Sequence, residues 1–333
     1  MRIVVALGGN ALLRKGEPLS MENQQKAIAG AARSLADAIY AGHHLVITHG
    51  NGPQVGLLAL QSLAGPQESM LPLDVLGAES EGWIGYELEL ALRNALPEGA
   101  AVVTVVTQTL VDANDPAFAA PTKPIGPVYE EAIARGLATE HQWPMVKDGH
   151  GWRRVVASPK PLGIVEIASI KRLINTGVTV ICAGGGGIPV RAGADGKLAG
   201  VEAVVDKDLT GALLAKQAEA DLFIMLTDVA GVYLDYGGKE QRAIASSGPK
   251  DMIAHAAGFR AGSMGPKVEA ACAFVQETGQ SAAIGALSDL ADIIAGRRGT
   301  LILPNGGKIS FHYPEPEQPR HGGITEIPPE KHF

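Results

Sequence analysis

The chain opens with short apolar runs that alternate with longer stretches in which apolar residues recur at helical spacing. Short aliphatic runs are typical of buried parallel strands, and the periodic stretches between them are typical of the connecting helices. This rhythm indicates a parallel sheet built from βαβ units. It predicts strands at 3–7, 45–48 and 101–106, and helices at 22–41, 54–62 and 74–95.

The alternation is interrupted between Val111 and Val155, where Pro, Gly, charged and aromatic residues are frequent and no long periodic helix is visible. Because a structureless loop of that length is uncommon inside a domain, we interpret this segment as a small inserted subdomain, in the manner of a lid. The alternation then returns with helices predicted at 166–176, 208–218, 267–278 and 288–295, and strands at 178–182, 222–226, 281–285 and 300–303.

These elements suggest a division of the chain into three parts. Residues 1–218 form an N-terminal lobe that carries the insertion at about 111–155, and residues 219–303 form a second lobe. In the last part, 304–333, alternating apolar residues from Ile309 to Tyr313 predict a hairpin strand. The Pro-rich, charged residues after it predict a mobile tail.

Composition narrows the class of protein. The 333 residues are 46% hydrophobic with 42 glycines, which favours a large α/β core with many strand-to-helix turns. The net charge of -7 argues against a nucleic-acid surface or a polybasic membrane patch. Cys182 and Cys272 fit buried small hydrophobes in the reducing cytoplasm, and no stretch approaches the 18 apolar residues of a membrane span.

Glycine-containing turns follow two of the predicted strands. Gly8-Gly9-Asn10 comes directly after the first strand, and Gly50-Asn51-Gly52 comes shortly after the second. Because glycine lacks a Cβ, an anion can approach the backbone amides there, and a helix that starts just beyond adds the positive end of its dipole. The chain contains neither the Walker loop nor the G-x-G-x-x-G fingerprint. The turns therefore indicate phosphate binding of another type.

Two lysines stand at predicted helix starts, Lys207 before helix 208–218 and Lys267 at the start of helix 267–278. A cation at this end opposes the helix dipole by about 0.3 to 1 kcal/mol, whereas a bound polyanion would interact favourably with both the lysine and the amides. Either lysine alone is equally well explained by extension into solvent or by pairing with a nearby Asp. The two together, with the two glycine turns, favour a phosphate site.

Six blocks of the sequence resemble carbamate kinases, which belong to the amino-acid-kinase fold family. The blocks occur in the same order, and the similarity runs from residue 1 to about 303. Ala6 stands where other amino-acid kinases typically carry a lysine, and Lys207 stands where carbamate kinases place their second phosphate lysine. The blocks are residues 5–12, 48–56, 121–127, 183–190, 200–208 and 262–271.

The resemblance implies a fold and a reaction. The fold is a three-layer α/β/α sandwich with a mostly parallel central sheet and a protruding inserted subdomain. The reaction is reversible phosphoryl transfer between ATP and carbamate, giving carbamoyl phosphate and ADP, and we expect it to run toward ATP in arginine or purine catabolism. Mg²⁺ would arrive with the nucleotide and not at a fixed protein metal site. We also expect a cytoplasmic homodimer with no nucleic-acid or membrane partner.

The resemblance also implies roles for catalytic side chains. Lys207 and Lys267 would lie on opposite sides of the transferring phosphoryl group, and Asp208 between them would fix their positions or support the metal. Lys123, in the insertion, would reach over the substrate, although a solvated loop lysine remains the alternative. His49 is expected to hold its loop by hydrogen bonding, because the attacking oxygen of carbamate is already anionic and needs no base.

Two further groups of residues are implied to bind substrates. The first binds the phosphoryl group and carbamate, with the Gly184–Gly187 run at the rim of the site, and comprises Gly8, Gly9, Asn10, Gly50, Asn51, Gly52, Gly185 and Gly186. The second binds the nucleotide at the carboxyl ends of strands in the second lobe. It comprises Thr227, Asp228, Tyr233, Met264 and Lys267.

Two other hypotheses stay open at this stage. An amino-acid-kinase relative could use the same phosphate apparatus on another small carboxylate or carbamoyl compound, because a fold does not determine a substrate. The lack of an arginine-rich motif near Gly50-Asn51 favours a very small acceptor. The second is a nucleotide-binding regulatory protein without turnover, which intact Lys207, Asp208 and Lys267 argue against.

The tail generates a first testable prediction. Its Pro-rich, charged sequence cannot bury enough apolar area to offset the entropy of ordering it, so truncation after Pro314 should leave kcat and the melting temperature nearly unchanged. Steady-state kinetics and thermal unfolding of the truncated chain measure both. A large loss of kcat would instead show that the tail folds over the active site.

Overall fold

A computed structural model describes residues 1–13, 17–66, 70–259 and 264–312, apart from the side chains of Asn10 and Ala257. The helices are α1 (Met21–Tyr40), α2 (Gly52–Ala64), α3 (Leu73–Ala95), α4 (Glu131–His141), α5 (Ile167–Asn175), α6 (Lys207–Gln217), α7 (Pro249–Ala254), α8 (Met264–Thr278) and α9 (Leu290–Ile294). The strands before the second lobe are β1 (Arg2–Leu7), β2 (His44–His49), β3 (Val102–Val105), β4 (Gln108–Val111), β5 (Lys123–Tyr129), β6 (Met145–Asp148), β7 (Gly151–Val156), β8 (Pro161–Ile164), β9 (Thr179–Cys182), β10 (Ile188–Ala192) and β11 (Leu198–Gly200). The strands in the predicted second lobe and beyond it are β12 (Leu222–Thr227), β13 (Tyr233–Leu234), β14 (Arg242–Ser247), β15 (Ser281–Ala286), β16 (Thr300–Ile302) and β17 (Ser310–Phe311).

One large sheet runs through the described part of the chain in the order β13-β14-β16-β15-β12-β1-β2-β9-β3. The pairings from β15 to β3 are all parallel, which confirms the predicted α/β class with a mostly parallel sheet. The strand β16 runs antiparallel to β15 and is the exception next to that parallel block.

Helices cover both faces of this sheet and complete the three-layer sandwich. Side chains alternate along β1, so that Val4 and Ala6 pack in one apolar cluster while Ile3, Val5 and Leu7 pack in the other. Burial on both faces explains why this strand is a continuous apolar run. Helices α5, α6 and α8 contribute to the first cluster, and α1, α3 and α9 contribute to the second.

The predicted insertion at 111–155 lies in a unit of two small sheets, and the strands of these sheets extend beyond those bounds. Strands β5, β7 and β6 form one small sheet, and β11, β10, β4 and β8 form another. Because β10 pairs in parallel with β4, the chain returns to this unit after the Gly184–Gly187 run. The unit also contains α4, an 11-residue helix that the sequence analysis did not predict and whose buried residue is Ala134.

The C-terminal part also differs from the predicted hairpin. Strand β17 pairs antiparallel with β14 and not with the preceding strand β16. The side chains of Ser246 and Ser310 lie 2.8 Å apart between their hydroxyl oxygens, and the Arg242 guanidinium stacks over the Phe311 ring. Strand β14 is a short polar run that the apolar pattern did not predict. Residues 313–333, the predicted tail, lie outside the described residues.

The predicted boundary between the lobes at 218/219 corresponds to the junction of β1 with β12 inside the large sheet. Ile3 is opposite Leu222 and Leu7 is opposite Leu226 across this junction. The sheet is therefore continuous from one predicted lobe to the other, and the division into two lobes remains a prediction.

Candidate active site

The functional loops meet because their strands are parallel neighbours. Strands β1, β2, β9 and β12 end at the same edge of the sheet, where Gly8, Gly50 and Gly184 follow the first three of them. Backbone hydrogen bonds join these ends directly: the Gly8 N–H donates to Leu226 O at 3.0 Å, and the Gly50 N–H donates to Leu7 O at 3.1 Å. Ligands of open α/β sheets bind at this edge.

A buried carboxylate holds two lysines at this edge. Lys207 Nζ lies 2.7 Å from Asp208 Oδ1, and Lys267 Nζ lies 2.8 Å from Asp208 Oδ2. Asp208 is 5% exposed. Lys207 and Asp208 begin α6 and Lys267 lies in the first turn of α8, so two helix starts converge on one cluster.

The cluster carries a net positive charge of one, because two ammonium groups share a single carboxylate. Burial and the neighbouring Lys207 charge lower the pKa of Lys267, and the Asp208 carboxylate acts against that shift. Both ammonium groups have unused N–H donors. An anion with several oxygens placed between them would relieve the repulsion and accept those donors.

Asp206 extends this arrangement to the insertion. Its Oδ1 accepts the Asp208 and Leu209 N–H groups at 2.9 and 3.4 Å and so caps α6, while its Oδ2 lies 2.5 Å from Lys123 Nζ. Burial acts to raise the pKa of Asp206, but the Lys123 charge and the Asp208 N–H outweigh it, and the pKa lies below its ordinary value. Lys123 is thus paired at the site and not simply solvated.

The loop after β2 lies against the stem of Lys207. A side chain at Gly50 would come within 3.4 Å of Lys207 Cδ and 3.8 Å of the Gly9 nitrogen. Asn51 Nδ2 donates to Ser80 Oγ on α3 at 2.8 Å. No side chain caps the start of α2 at Asn51, and because Pro53 has no N–H, the first turn offers an anion the N–H groups of Gly52 and Gln54.

The glycine run after β9 forms a tight turn that requires residues without a Cβ. Gly185 and Gly186 have φ of +67° and +101°, and a Cβ on them would overlap the Asn51 amide and Val205 O respectively. Gly186 O accepts the hydroxyls of Thr109 and Thr210 at 2.8 and 3.0 Å. The turn is therefore packed between the Gly50–Gly52 loop and the segment that leads to Lys207.

Two buried titratable groups, Glu81 and His49, support the turn from behind. Glu81 Oε1 accepts the Gly184 N–H at 2.8 Å and Oε2 accepts the Thr107 N–H at 3.1 Å. His49 Nδ1 lies 3.0 Å from Gly50 O, as expected for a residue that holds its loop. Burial lowers the pKa of His49 to about 4, although the bond to Gly50 acts against this, so the ring is neutral and is no acid at neutral pH.

The structure brings most of the predicted substrate-binding residues together. A cleft of about 350 Å³ is lined by Gly9, Gly50, Asn51, Gly52, Gly185, Lys123, Lys207, Asp208 and Lys267, together with the unpredicted Asp206 and Arg153. Gly8 and Gly186 lie beside it and contact Leu226 O and the α6 segment. The backbone of Asn10 lies in the turn after Gly8, while its side chain is outside the described atoms.

Of the predicted nucleotide residues, Lys267 lines this cleft, whereas Thr227, Asp228, Tyr233 and Met264 are not among its lining residues. Thr227 and Asp228 follow β12 and hydrogen-bond to each other at 3.0 Å, and Met264 begins α8. Tyr233 lines a different cavity, of about 730 Å³, with Arg242 and Phe311. The contacts of these four residues do not place them around one ligand. Residues 260–263, which precede Met264, lie outside the described residues.

Sequence reasoning missed three residues that shape this site. Asp206 had a recognisable signal, since it lies two residues before the predicted helix 208–218 and Asp is a common N-cap. Ser80 and Glu81 had none, because both lie in the middle of a predicted helix and their partners Asn51 and Gly184 are remote in sequence.

No group of three or more His, Cys, Asp or Glu side chains among the described residues could hold a metal ion. None of the described helices is long and apolar enough to cross a membrane.

Comparison with known proteins decides the family. The amino acid kinase family profile matches residues 1–286. Carbamate kinases of Rhizobium meliloti and Haemophilus influenzae are each 51% identical to this chain, over 95% and 94% of it and 97% and 100% of their own lengths. The chain belongs to the carbamate kinases of the amino acid kinase family. The solved carbamate kinase of Giardia lamblia bound to AMP-PNP superimposes with a TM-score of 0.83 at 42% identity, covering 91% of this chain and 98% of that one.

Proposed function

We propose that this cleft transfers a phosphoryl group between ATP and carbamate, giving ADP and carbamoyl phosphate in a reversible reaction. The observation that carries the proposal is the Asp208 carboxylate with Lys207 and Lys267 on its two oxygens, directly beside the Gly9 and Gly50 loops. Family membership at about 51% identity supports the same reaction. Transfer toward ATP in a catabolic pathway stays a prediction.

The chemistry asks for alignment and charge stabilisation more than for covalent help. In the proposed arrangement, Lys207 and Lys267 donate to the equatorial oxygens of the transferring phosphoryl group from two sides. Amides after Gly8 and Gly9 add donors at the same group. Asp208 keeps the two ammonium groups at a separation that one phosphoryl group can span.

The acceptor end lies at the Gly50–Gly52 loop in this proposal. The attacking carbamate oxygen is anionic, so no general base is required, which agrees with a neutral His49 that faces Gly50 O. The start of α2 offers open amides to the carbamate carboxylate. Lys123 lies over the cleft from the insertion and contacts substrate in both directions of the reaction.

The nucleotide would extend from this cleft toward Thr227, Asp228, Tyr233 and Met264. Both oxygens of Asp208 are already bound to lysines, and no carboxylate cage is present among the described residues. This donor set fits Mg²⁺ that is held by the nucleotide phosphates and not by the protein. When bound, Mg²⁺ neutralises charge on those phosphates.

The lysine pair gives the sharpest test of the reaction. Because each lysine stabilises charge on the group in flight, Lys207→Ala and Lys267→Ala should each lower kcat by about 10² to 10³. The double variant should lose little more than either single one, since both groups act on the same transition state. ATP formation from carbamoyl phosphate and ADP measures these rates.

Lys216 is a suitable control, because it lies on α6 with Lys207 and pairs on the surface with Glu277, at 2.7 Å. Lys216→Ala should keep the wild-type kcat. If both lysine variants retained more than about a tenth of wild-type kcat, a loss below about 1.4 kcal/mol, the site would be misplaced.

Lys123 should affect binding more than the chemical step. Because its contact is made in the ground state and the transition state alike, Lys123→Ala should raise the KM for carbamoyl phosphate with a smaller change in kcat. Lys147, exposed in the same small sheet, provides the matched control variant Lys147→Ala. A fall in kcat with unchanged KM would contradict this role.

We also propose that the chain is a homodimer that pairs through α3. Val75, Tyr86 and Leu90 on this helix are exposed apolar side chains, and Tyr86 is 64% exposed. Light scattering should give twice 34.5 kDa, and Tyr86→Glu should shift the mass toward one chain. A wild-type monomer with full activity would contradict the proposal. Cytoplasmic location remains a prediction, with Cys182 and Cys272 buried as free thiols.

A further inference from the structure

Glu81 and His49 are two buried ionisable groups that the proposed transfer does not use. Each is 1% exposed. Glu81 lies in the middle of α3, and His49 is the last residue of β2. A buried ionisable side chain needs partners that suit its protonation state, so the hydrogen bonds of both groups can be accounted for atom by atom.

The protons of His49 follow from its partners. Nδ1 faces Gly50 O at 3.0 Å, and because a carbonyl oxygen can only accept, Nδ1 carries the hydrogen. Burial keeps the ring neutral by lowering its pKa to about 4. Nε2 is then a bare acceptor, and it is buried without any hydrogen-bond partner. His49 therefore lacks one donor.

Glu81 has the opposite problem. Burial raises its pKa to about 8, against the lowering effect of the Thr107 and Gly184 N–H groups, so the carboxyl holds a proton at neutral pH. Those two backbone partners can only donate. The proton of Glu81 therefore needs an acceptor that neither of them provides.

The two unsatisfied groups lie against the same α-carbon. A Cβ built on Gly184 would overlap Cε1 and Nε2 of His49 and would lie 3.1 Å from Cγ of Glu81. The terminal torsion of a glutamate is broad, so its hydroxyl can turn toward the imidazole while the backbone stays in place. The missing donor and the missing acceptor are thus neighbours.

The other titratable groups around Glu81 do not offer that acceptor. Glu166 precedes α5, and its two carboxylate oxygens accept the backbone and side-chain N–H groups of Gln108, each at 2.8 Å. Cys182 on β9 remains a thiol, because burial first, and then the charges of Glu81 and Glu166, raise its pKa far above neutral. The Thr107 hydroxyl also lies beside Glu81, but it already donates to Val105 O at 2.6 Å and accepts the Ala183 N–H at 3.0 Å. His49 Nε2 is the neighbouring acceptor that has no hydrogen-bond partner among the described residues.

We propose that Glu81 and His49 are positioning residues that share one proton beside Gly184 and thereby hold the glycine turn against the acceptor loop. The proposal rests on the assignment of Gly50 and Asn51 to the carbamate end. Ser80 supports it, since it binds the Asn51 side chain from the same helix at 2.8 Å. Consecutive residues of α3 then hold the two loops that shape the acceptor pocket.

A pH dependence follows from the direction of the Glu81 shift. Below pH 8 the carboxyl keeps its proton and can donate to His49 Nε2. Above pH 8 it is a carboxylate that faces a bare nitrogen, so the contact is lost and the acceptor pocket loosens. The kcat/KM for carbamoyl phosphate should fall with an apparent pKa near 8, while the KM for ADP should not change over that range.

Nitrogen NMR of the ¹⁵N-histidine-labelled wild-type chain tests the shared proton without any assay of activity. We expect His49 to be neutral with its hydrogen on Nδ1 at pH 6, and its Nε2 resonance to move with a midpoint near pH 8. In Glu81→Gln that step should vanish, because the amide does not titrate. A hydrogen on Nε2, or a constant Nε2 resonance from pH 6 to 10 in the wild type, would overturn the proposal.

Kinetics of the same variant test the positioning role. The amide nitrogen of a glutamine cannot accept the second backbone N–H, so Glu81→Gln should raise the KM for carbamoyl phosphate by about tenfold and remove the alkaline limb of the profile. Its KM for ADP should stay at the wild-type value. The expected tenfold change corresponds to about 1.4 kcal/mol.

The matched control is Glu89→Gln. Glu89 lies on the same helix and accepts the Thr104 N–H at 2.8 Å on β3, which β9 separates from β2 and its acceptor loop. This variant should lower the melting temperature but keep both KM values and the alkaline limb. An equal rise in KM in both variants would show that Glu81 is merely structural. If the wild-type chain formed no ATP but its His49 Nε2 resonance still moved with a midpoint near pH 8, the proposed function would be refuted. The shared proton between Glu81 and His49 would then stand without it.

Discussion

The arrangement of this site depends on the parallel pairing of β1 with β2 and β12. Because β1 is buried on both faces and hydrogen-bonded on both edges, its register with its neighbours is tightly specified. The loops that leave these strands must then begin at one edge of the sheet, within hydrogen-bond distance of each other. Backbone bonds from Gly8 and Gly50 to the ends of adjacent strands are the direct result.

Electrostatics explains why a carboxylate sits among the cations at this edge. Two helix starts each bring a lysine to the same place, and each lysine is unfavourable there without an anion. Asp208 offsets part of this cost and sets the spacing of Lys207 and Lys267, yet leaves the cluster one positive charge in excess. This excess positive charge suits the phosphoryl group of the proposed reaction, and the feature that limits stability would then also supply affinity for that anion.

Helix α3 supports the site through buried polar contacts with segments that are remote from it in sequence. Ser80 and Glu81 hold the acceptor loop and the glycine turn, and Glu87 accepts from Gln24 of α1 at 2.7 Å. Gln24 in turn accepts from Gln54 of α2, also at 2.7 Å. Buried hydrogen bonds of this kind are costly to leave unmade, so they hold α1, α2 and α3 in one relative position. Helix α3 also exposes apolar side chains on its outer side. The same helix therefore carries both the proposed dimer contact and the residues that support the site.

Local signals in the sequence determined the alternation of strands and helices, the glycine turns at strand ends and the two lysines at helix starts. Periodicity, the missing Cβ of glycine and the helix dipole all act within a few residues, so each can be recognised without knowing the fold. Only the tertiary structure decided that β10 returns to the insertion beside β4, that β17 joins β14, and that Asp206 meets Lys123. It also decided that Glu81 lies behind Gly184. These contacts join residues remote in sequence, and their partners are selected by which strand edges and buried polar groups remain unsatisfied once the sheet has formed.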